Sequence, residues 1–286
     1  MPSASPPIAL TFGLSDPTGG SGLQADLMTL ASMGCHGVTV LTGYTVRDSA
    51  GCDEVTSLEP EVVASQARML LEDMPIAVFK VGATIRAEVV SAIAEVVADY
   101  DDVPLILAPD FTLADEHMLA ADELREAMAE LLVPQTSLLV AGPATLLALA
   151  QPDGDADAPS LEAAITHLLA QGCEYILSLE TGTHRLVNTL YSDDGQLRQD
   201  IWERDTQRVM GLTDTLGSAI AALLANGQEP VDAVREAQEY LYRAVRSAFR
   251  PGMGACIPDR FFWARNNQDA PPPAISKTAP PDEARH

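Results

Sequence analysis

The stretch richest in chemical possibility is "GLSDPTGGSGLQAD", Gly13 to Asp26. It follows an apolar run, "PIALTF", and leads into "LQADLMTLASMG". Four glycines, two aspartates and a proline therefore lie between an expected strand and an expected helix. A triphosphate-binding P-loop needs Gly-x4-Gly-Lys-Ser/Thr, and no lysine follows these glycines, which excludes it. "GSGLQA", Gly20 to Ala25, fits the looser dinucleotide pattern G-x-G-x-x-A, with Asp48 further on. That pattern places its glycines directly after the strand, and here "SDPTG" intervenes. A plain turn whose glycines permit positive φ is the third possibility.

The elements that must position this bend alternate along the chain. Strands are expected at 8–13, 38–42, 76–81, 103–107, 137–141 and 174–179. Helices are expected near 22–33, 60–73, 86–99, 119–132 and 160–171. Strand–helix alternation with continuously apolar strands predicts a parallel sheet covered on both faces. A hairpin follows, "LVNTLY" and "QLRQDIW" around "SDDG". Helices at 213–225 and 230–249, split by "NGQEP", close the fold. This is one domain over 7–264, after a flexible N-terminus at 1–6. An acidic loop is expected at 152–159. The Pro-rich tail at 265–286 is expected to be disordered.

Composition narrows the partners. Acids outnumber bases 41 to 17, for a net charge of −24. Such a chain repels nucleic acid and anionic membranes, so neither is an expected partner. No apolar run approaches the roughly 18 residues of a membrane span, and "MPSASPP" is not a secretory signal. Cys35, Cys52, Cys173 and Cys256 lack metal or disulfide spacing, which predicts a reduced, cytoplasmic protein without a metal site of its own.

Longer strings are more specific. "LTFGLSDPTGGSGLQADLMTLASMGCHGVTVLTGYTV", "FKVG" (79–82), "LLVPQTSLL" (131–139), "GLTDTLGSAIAALLANG" (211–227) and "FRPGMGACIPDRFFWAR" (249–265) span nearly the whole domain. Together they resemble the hydroxymethylpyrimidine/phosphomethylpyrimidine kinases of thiamine biosynthesis. The resemblance implies a ribokinase-like three-layer α/β/α sandwich, ATP and Mg2+ as cofactors, a pyrimidine substrate and a homodimer. It places Gly13, Asp16, Gly19, Gly20 and Gly22 around the pyrimidine pocket. Asp26 becomes an acceptor for the ring's exocyclic amine; alternatively it is a first-turn acid favoured by the helix dipole. "GLTD" becomes an anion hole of Gly211, Leu212, Thr213 and Asp214, with Asp214 the base for the substrate hydroxyl. Asp214 has a plainer reading as a helix-terminal acid or cap.

The sequence also departs from the family's text. Arg47 stands in place of a glutamine that reads the pyrimidine edge. Ala83 replaces a methionine packed on the ring, and Ala108 an aspartate, with Asp110 two residues late. Gly142 and Thr145 replace an asparagine and the glutamate that organises magnesium. Thr213 replaces a glycine of the anion hole, and "LETGTH" lacks the usual lysine. Asp110 and Glu180 are the acids nearest in sequence to the lost ones. Two functions are therefore expected to compete: an ATP-dependent kinase of hydroxymethylpyrimidine or its phosphate, and a catalytically silent paralogue that binds a small, anionic ligand or a protein partner through the inherited pocket.

Overall fold

The computed structural model describes residues 5–151, 159–203 and 207–264. The Pro-rich tail, the start of the chain and, apart from Pro159, the acidic loop lie outside them. Nine strands form one sheet in the order β3-β2-β1-β4-β5-β6-β7-β8-β9. The parallel strands are β1 (Ile8–Ser15), β2 (His36–Arg47), β4 (Ile76–Val81), β5 (Leu105–Leu107), β6 (Leu138–Ala141) and β7 (Tyr175–Thr181). Antiparallel strands extend both ends: β3 (Cys52–Ser57) on one, β8 (Arg185–Ser192) and β9 (Gly195–Glu203) on the other.

Strand alternation sorts the core into two layers. Leu10, Phe12, Phe79, Val81, Leu105 and Leu107 face one way, toward α2 (Pro60–Asp73), α3 (Ala87–Ala98), α5 (Ala121–Ala127), α6 (Pro143–Ala150) and α7 (Leu161–Ala170). Ala9, Val78, Ile106 and Val140 face the other, toward α1 (Gly22–Ser32), α8 (Leu212–Ala225) and α9 (Pro230–Arg246). Every residue of α8 from Thr215 to Leu223 is buried, because the sheet lies under it and α1 and α9 flank it. A helix enclosed on all sides must be apolar or small all round, as this one is. Pro60, Pro143 and Pro230 open their helices at a position where the missing N–H costs nothing.

Several elements differ from expectation. β2 runs five residues past Thr42 and turns into β3, whose polar "CDEVTS" carries no apolar alternation. Asp48 closes that turn by accepting from the Ala50 and Gly51 amides. The helix expected at 119–132 runs from Ala121 to Leu132, partly as a π turn, and a further short helix precedes it. A short α4 (Thr112–Glu116) ends before Met118, which has a positive φ of 49°. α5 then widens into a π turn at Met128–Leu132. That wider turn lets consecutive pairs, Met128 with Ala129 and Leu132 with Val133, all reach the core. α6 was not expected at all.

Candidate active site

The strand order reverses between β1 and β4, the two strands from which the chain leaves in opposite directions. Ligands of open α/β sheets bind at the carboxyl ends of strands at such a point. Here Thr11 of β1 is in register with Lys80 of β4, and both side chains face α1 and α8.

Lys80 is the centre of the site, and it is 1% exposed. Its ammonium donates to Asp26 Oδ1 at 2.8 Å, Asp26 Oδ2 at 2.9 Å and Asp214 Oδ1 at 3.0 Å. Asp26 is fully buried, and its oxygens also accept from Thr11 Oγ1 at 2.6 Å and Ser218 Oγ at 2.7 Å. Asp214 accepts from the Gly22 amide at 2.9 Å and keeps 17% of its side chain open. Burial pushes the Asp214 carboxyl up, but Lys80, the Gly22 amide and Arg260 outweigh it and hold Asp214 below the usual carboxylate value. Burial likewise opposes the Lys80 charge, and the two aspartates more than restore it. For Asp26 burial dominates and raises the carboxyl; Lys80 pulls against it while Asp214 pushes it further up.

The glycine bend begins at Asp16, since Gly13 lies inside β1. The Asp16 carboxylate organises the bend from within. It accepts from the Thr18 amide and hydroxyl and from the Ser21 amide and hydroxyl, at 2.6–2.9 Å. Gln24 fixes the entry, accepting from the Asp16 amide and donating to Ser15. Gly19 and Gly22 have positive φ. At Gly22 a Cβ would stand 2.3 Å from the Leu14 carbonyl oxygen, so no other residue fits. Across the gap, Gly211 caps α8 in the left-handed region, with φ of 68°. A Cβ there would come within 1.9 Å of the Gly20 carbonyl oxygen. The amides of Leu212, Thr213 and Asp214 follow as the first turn of α8, where no preceding carbonyl can satisfy them.

A second buried cation joins these two pieces. The Arg260 guanidinium is 2% exposed and donates to Gly19 O at 3.1 Å, Gly20 O at 2.8 Å and Thr215 Oγ1 at 3.1 Å. Burial lowers its pKa, yet an arginine retains its charge in such surroundings. Its carbonyl accepts from Ser32 and Tyr240, which anchors it to α1 and α9.

Among the residues singled out in the sequence, Gly19, Gly20, Gly22, Asp26 and Gly211 to Asp214 come together here. Arg47 lies beside the bend, its Nε 4.0 Å from Asp16 Oδ1, and that Nε is buried without a hydrogen-bond partner among the described residues. Asp48 is spent on its turn. Asp110 is exposed and accepts from the Thr112 amide. Ala108 is buried, and Thr145 lies in the first turn of α6. Among the described residues no three His, Cys, Asp or Glu side chains are grouped to hold a metal. An Mg2+ held mainly by ATP phosphates and water would need only one or two carboxylates, and Asp214 is the partly open one here.

Sequence reasoning did not single out Lys80 or Arg260. A lysine within the apolar strand "IAVFKV" was a usable signal, because a lysine is almost never buried unless paired. Arg260 sits in irregular chain, where no periodicity marks it.

A mostly parallel three-layer sandwich, with an acid at a helix start facing a glycine bend across the switch point, is the arrangement of a ribokinase-like small-molecule kinase. The structure is similar to pyridoxal kinase from Staphylococcus aureus in complex with AMP-PCP, with a TM-score of 0.81, 20% identity and coverage of 91% of this chain and 96% of that one. It is similar also to phosphomethylpyrimidine kinase from Clostridium difficile, with a TM-score of 0.68, 24% identity and coverage of 83% and 100%. The chain belongs to the phosphomethylpyrimidine kinase family, whose model matches residues 16–259. The hydroxymethylpyrimidine/phosphomethylpyrimidine kinase of Streptomyces coelicolor is 34% identical over 270 residues, 92% of this chain and 97% of that protein. The one from Escherichia coli is 29% identical over 245 residues, 84% and 91% of the two chains.

Proposed function

We propose that the protein transfers the γ-phosphoryl group of ATP to the hydroxymethyl oxygen of a pyrimidine alcohol, or to the phosphate of its monophosphate. One observation carries this: Asp214 is an ionised, partly open carboxylate at the first turn of α8, directly across from the glycine bend. The names of the relatives and the AMP-PCP complex of the pyridoxal kinase support the donor and the substrate class. With the alcohol, the substrate oxygen bonds to the γ-phosphorus as the bond from that phosphorus to ADP breaks. The electron pair leaves with ADP, and the hydroxyl proton passes to Asp214. Such transfer is loose and depends mostly on positioning and charge. In this reading the first amides of α8 receive the developing negative charge. The bend from Asp16 to Gly22 shapes the pyrimidine side, with Arg47 at its edge.

The missing carboxylates at Ala108 and Thr145 predict a slow enzyme. A coupled ADP-release assay with hydroxymethylpyrimidine should give turnover at least about 100-fold below the ordinary kinase range of ~1–100 per second. Turnover within that range would refute the degraded-site part of the reading. Zero turnover with calorimetric binding of pyrimidine would establish the silent paralogue instead. A homodimer belongs to the same proposal, and light scattering tests it.

A further inference from the structure

We propose that Asp26 and Lys80 are positioning residues that set the protonation and aim of Asp214, and that neither touches the substrate. The inference deepens the proposed function, since it assigns how that site keeps its base ready.

Hydrogen-bonding capacity supports it. A carboxylate has about four acceptor sites and an ammonium has three donors. Asp26 accepts from Thr11 and Ser218 and takes two contacts from Lys80, so its sites are filled, and it is 0% exposed. Lys80 makes three contacts with its three donors, two to Asp26 and one to Asp214. Asp214 accepts only from Lys80 and Gly22 among the described residues, which leaves half its sites for a substrate hydroxyl. It is also the one acid of the three-residue group with open surface. The substrate amine expected at Asp26 therefore meets a carboxylate with nothing left to accept with.

Charge points the same way. Lys80 and Asp26 form a balanced buried pair, and Asp214 is the additional acid. When Asp214 takes a proton, Lys80 remains compensated by Asp26, so no buried cation is stranded. Without Asp26, the same proton would leave Lys80 alone in the interior. Gly82 leaves room for the ammonium: a Cβ there would lie 2.8 Å from Lys80 Nζ. The charged groups around Asp214 are Lys80 on β4, Asp26 on α1 and Arg260 on the C-terminal segment. Asp16, with Arg47 beside it, stands further along the bend.

The test compares wild type with D26N, K80M and the D26N/K80M double variant. Two quantities are measured: the acid limb of kcat/KM for hydroxymethylpyrimidine, and the 13C titration of the Asp214 carboxyl, which needs no turnover. Removing a neighbouring cation disfavours the carboxylate, and removing a neighbouring anion favours it. The expected order of midpoints is therefore D26N at or below wild type, then the double variant, then K80M highest. D26N should lower kcat, with KM for the pyrimidine staying within about twofold. A large rise in KM in D26N with the pH profile unmoved would make Asp26 a ligand contact and overturn the proposal. So would an Asp214 midpoint unmoved in both Lys80 variants. If K80M fails to fold, the double variant against wild type carries the comparison. Absence of ADP release from wild type with the carboxyl order intact would refute the kinase function and uphold the electrostatic assignment.

Discussion

Asp214, Lys80 and Arg47 each make a distinct demand on the site, and each can be changed alone. D214N keeps the size and removes the proposed base, so turnover should fall by about 100- to 10,000-fold. A full rate in that variant would leave Asp214 as a helix-terminal acid only. K80M removes one partner of a buried ion cluster and leaves two carboxylates facing each other, which should cost about 3–5 kcal/mol in urea unfolding. A loss of a few tenths would mean that Asp26 is already neutral in the folded protein. Arg47 turns toward Asp16, whose four acceptor sites are already filled by Thr18 and Ser21. Its Nε therefore holds unspent donor capacity. A phosphorylated pyrimidine should consequently bind more tightly than the neutral alcohol, and R47Q should erase most of that preference. Equal affinities by calorimetry, unchanged in R47Q, would show that Arg47 serves the bend alone.

At the scale of elements, two loops and one helix start must meet. The glycine bend and α8 are joined by the Gly22–Asp214 bond and by the Arg260 fork. R260M should release the bend, raise amide hydrogen exchange at Gly19 to Gly22, and lower kcat/KM by about 100-fold through misplacement of roughly an ångström. Unchanged exchange with unchanged activity would mean that the fork holds nothing in place. G211A must enter the left-handed region, at a cost of about 1–2 kcal/mol, and it also meets the Gly20 carbonyl. The sequence made the parallel strands and most helices legible because they carry apolar runs or amphipathic periods. β3 was not legible, since an exposed polar edge strand has neither. α6 was hidden because its "PATLLALA" continues the apolar strand before it. The bend could be read from its glycines, whereas Gly211 to Asp214 was singled out only through the family resemblance. Arg260 could not, because its role depends on a distant stretch of chain folding back.

The molecule carries −24 overall, yet its site is locally balanced: Arg47 with Asp16, Lys80 with Asp26, and Arg260 near Asp214. ATP must approach through a repulsive field and arrive at a neutral interior. Affinity for AMP-PCP should therefore strengthen as salt rises from ~10 mM to ~150 mM, as the Debye length shrinks toward ~8 Å. Weakening over that range would show that a positive local field dominates instead. The Arg260 contacts span 240 and 241 residues of chain. At ~5–20 residues per second, roughly 10 to 50 s of synthesis separate the two partners. The glycine bend is thus made among the first residues and is closed by nearly the last described ones. On the ribosome, a nascent chain has its central strands in hand long before Arg260 can lock the glycine bend. The last of these links then arrives late, when residue 260 leaves the exit tunnel and reaches back to the beginning of the chain.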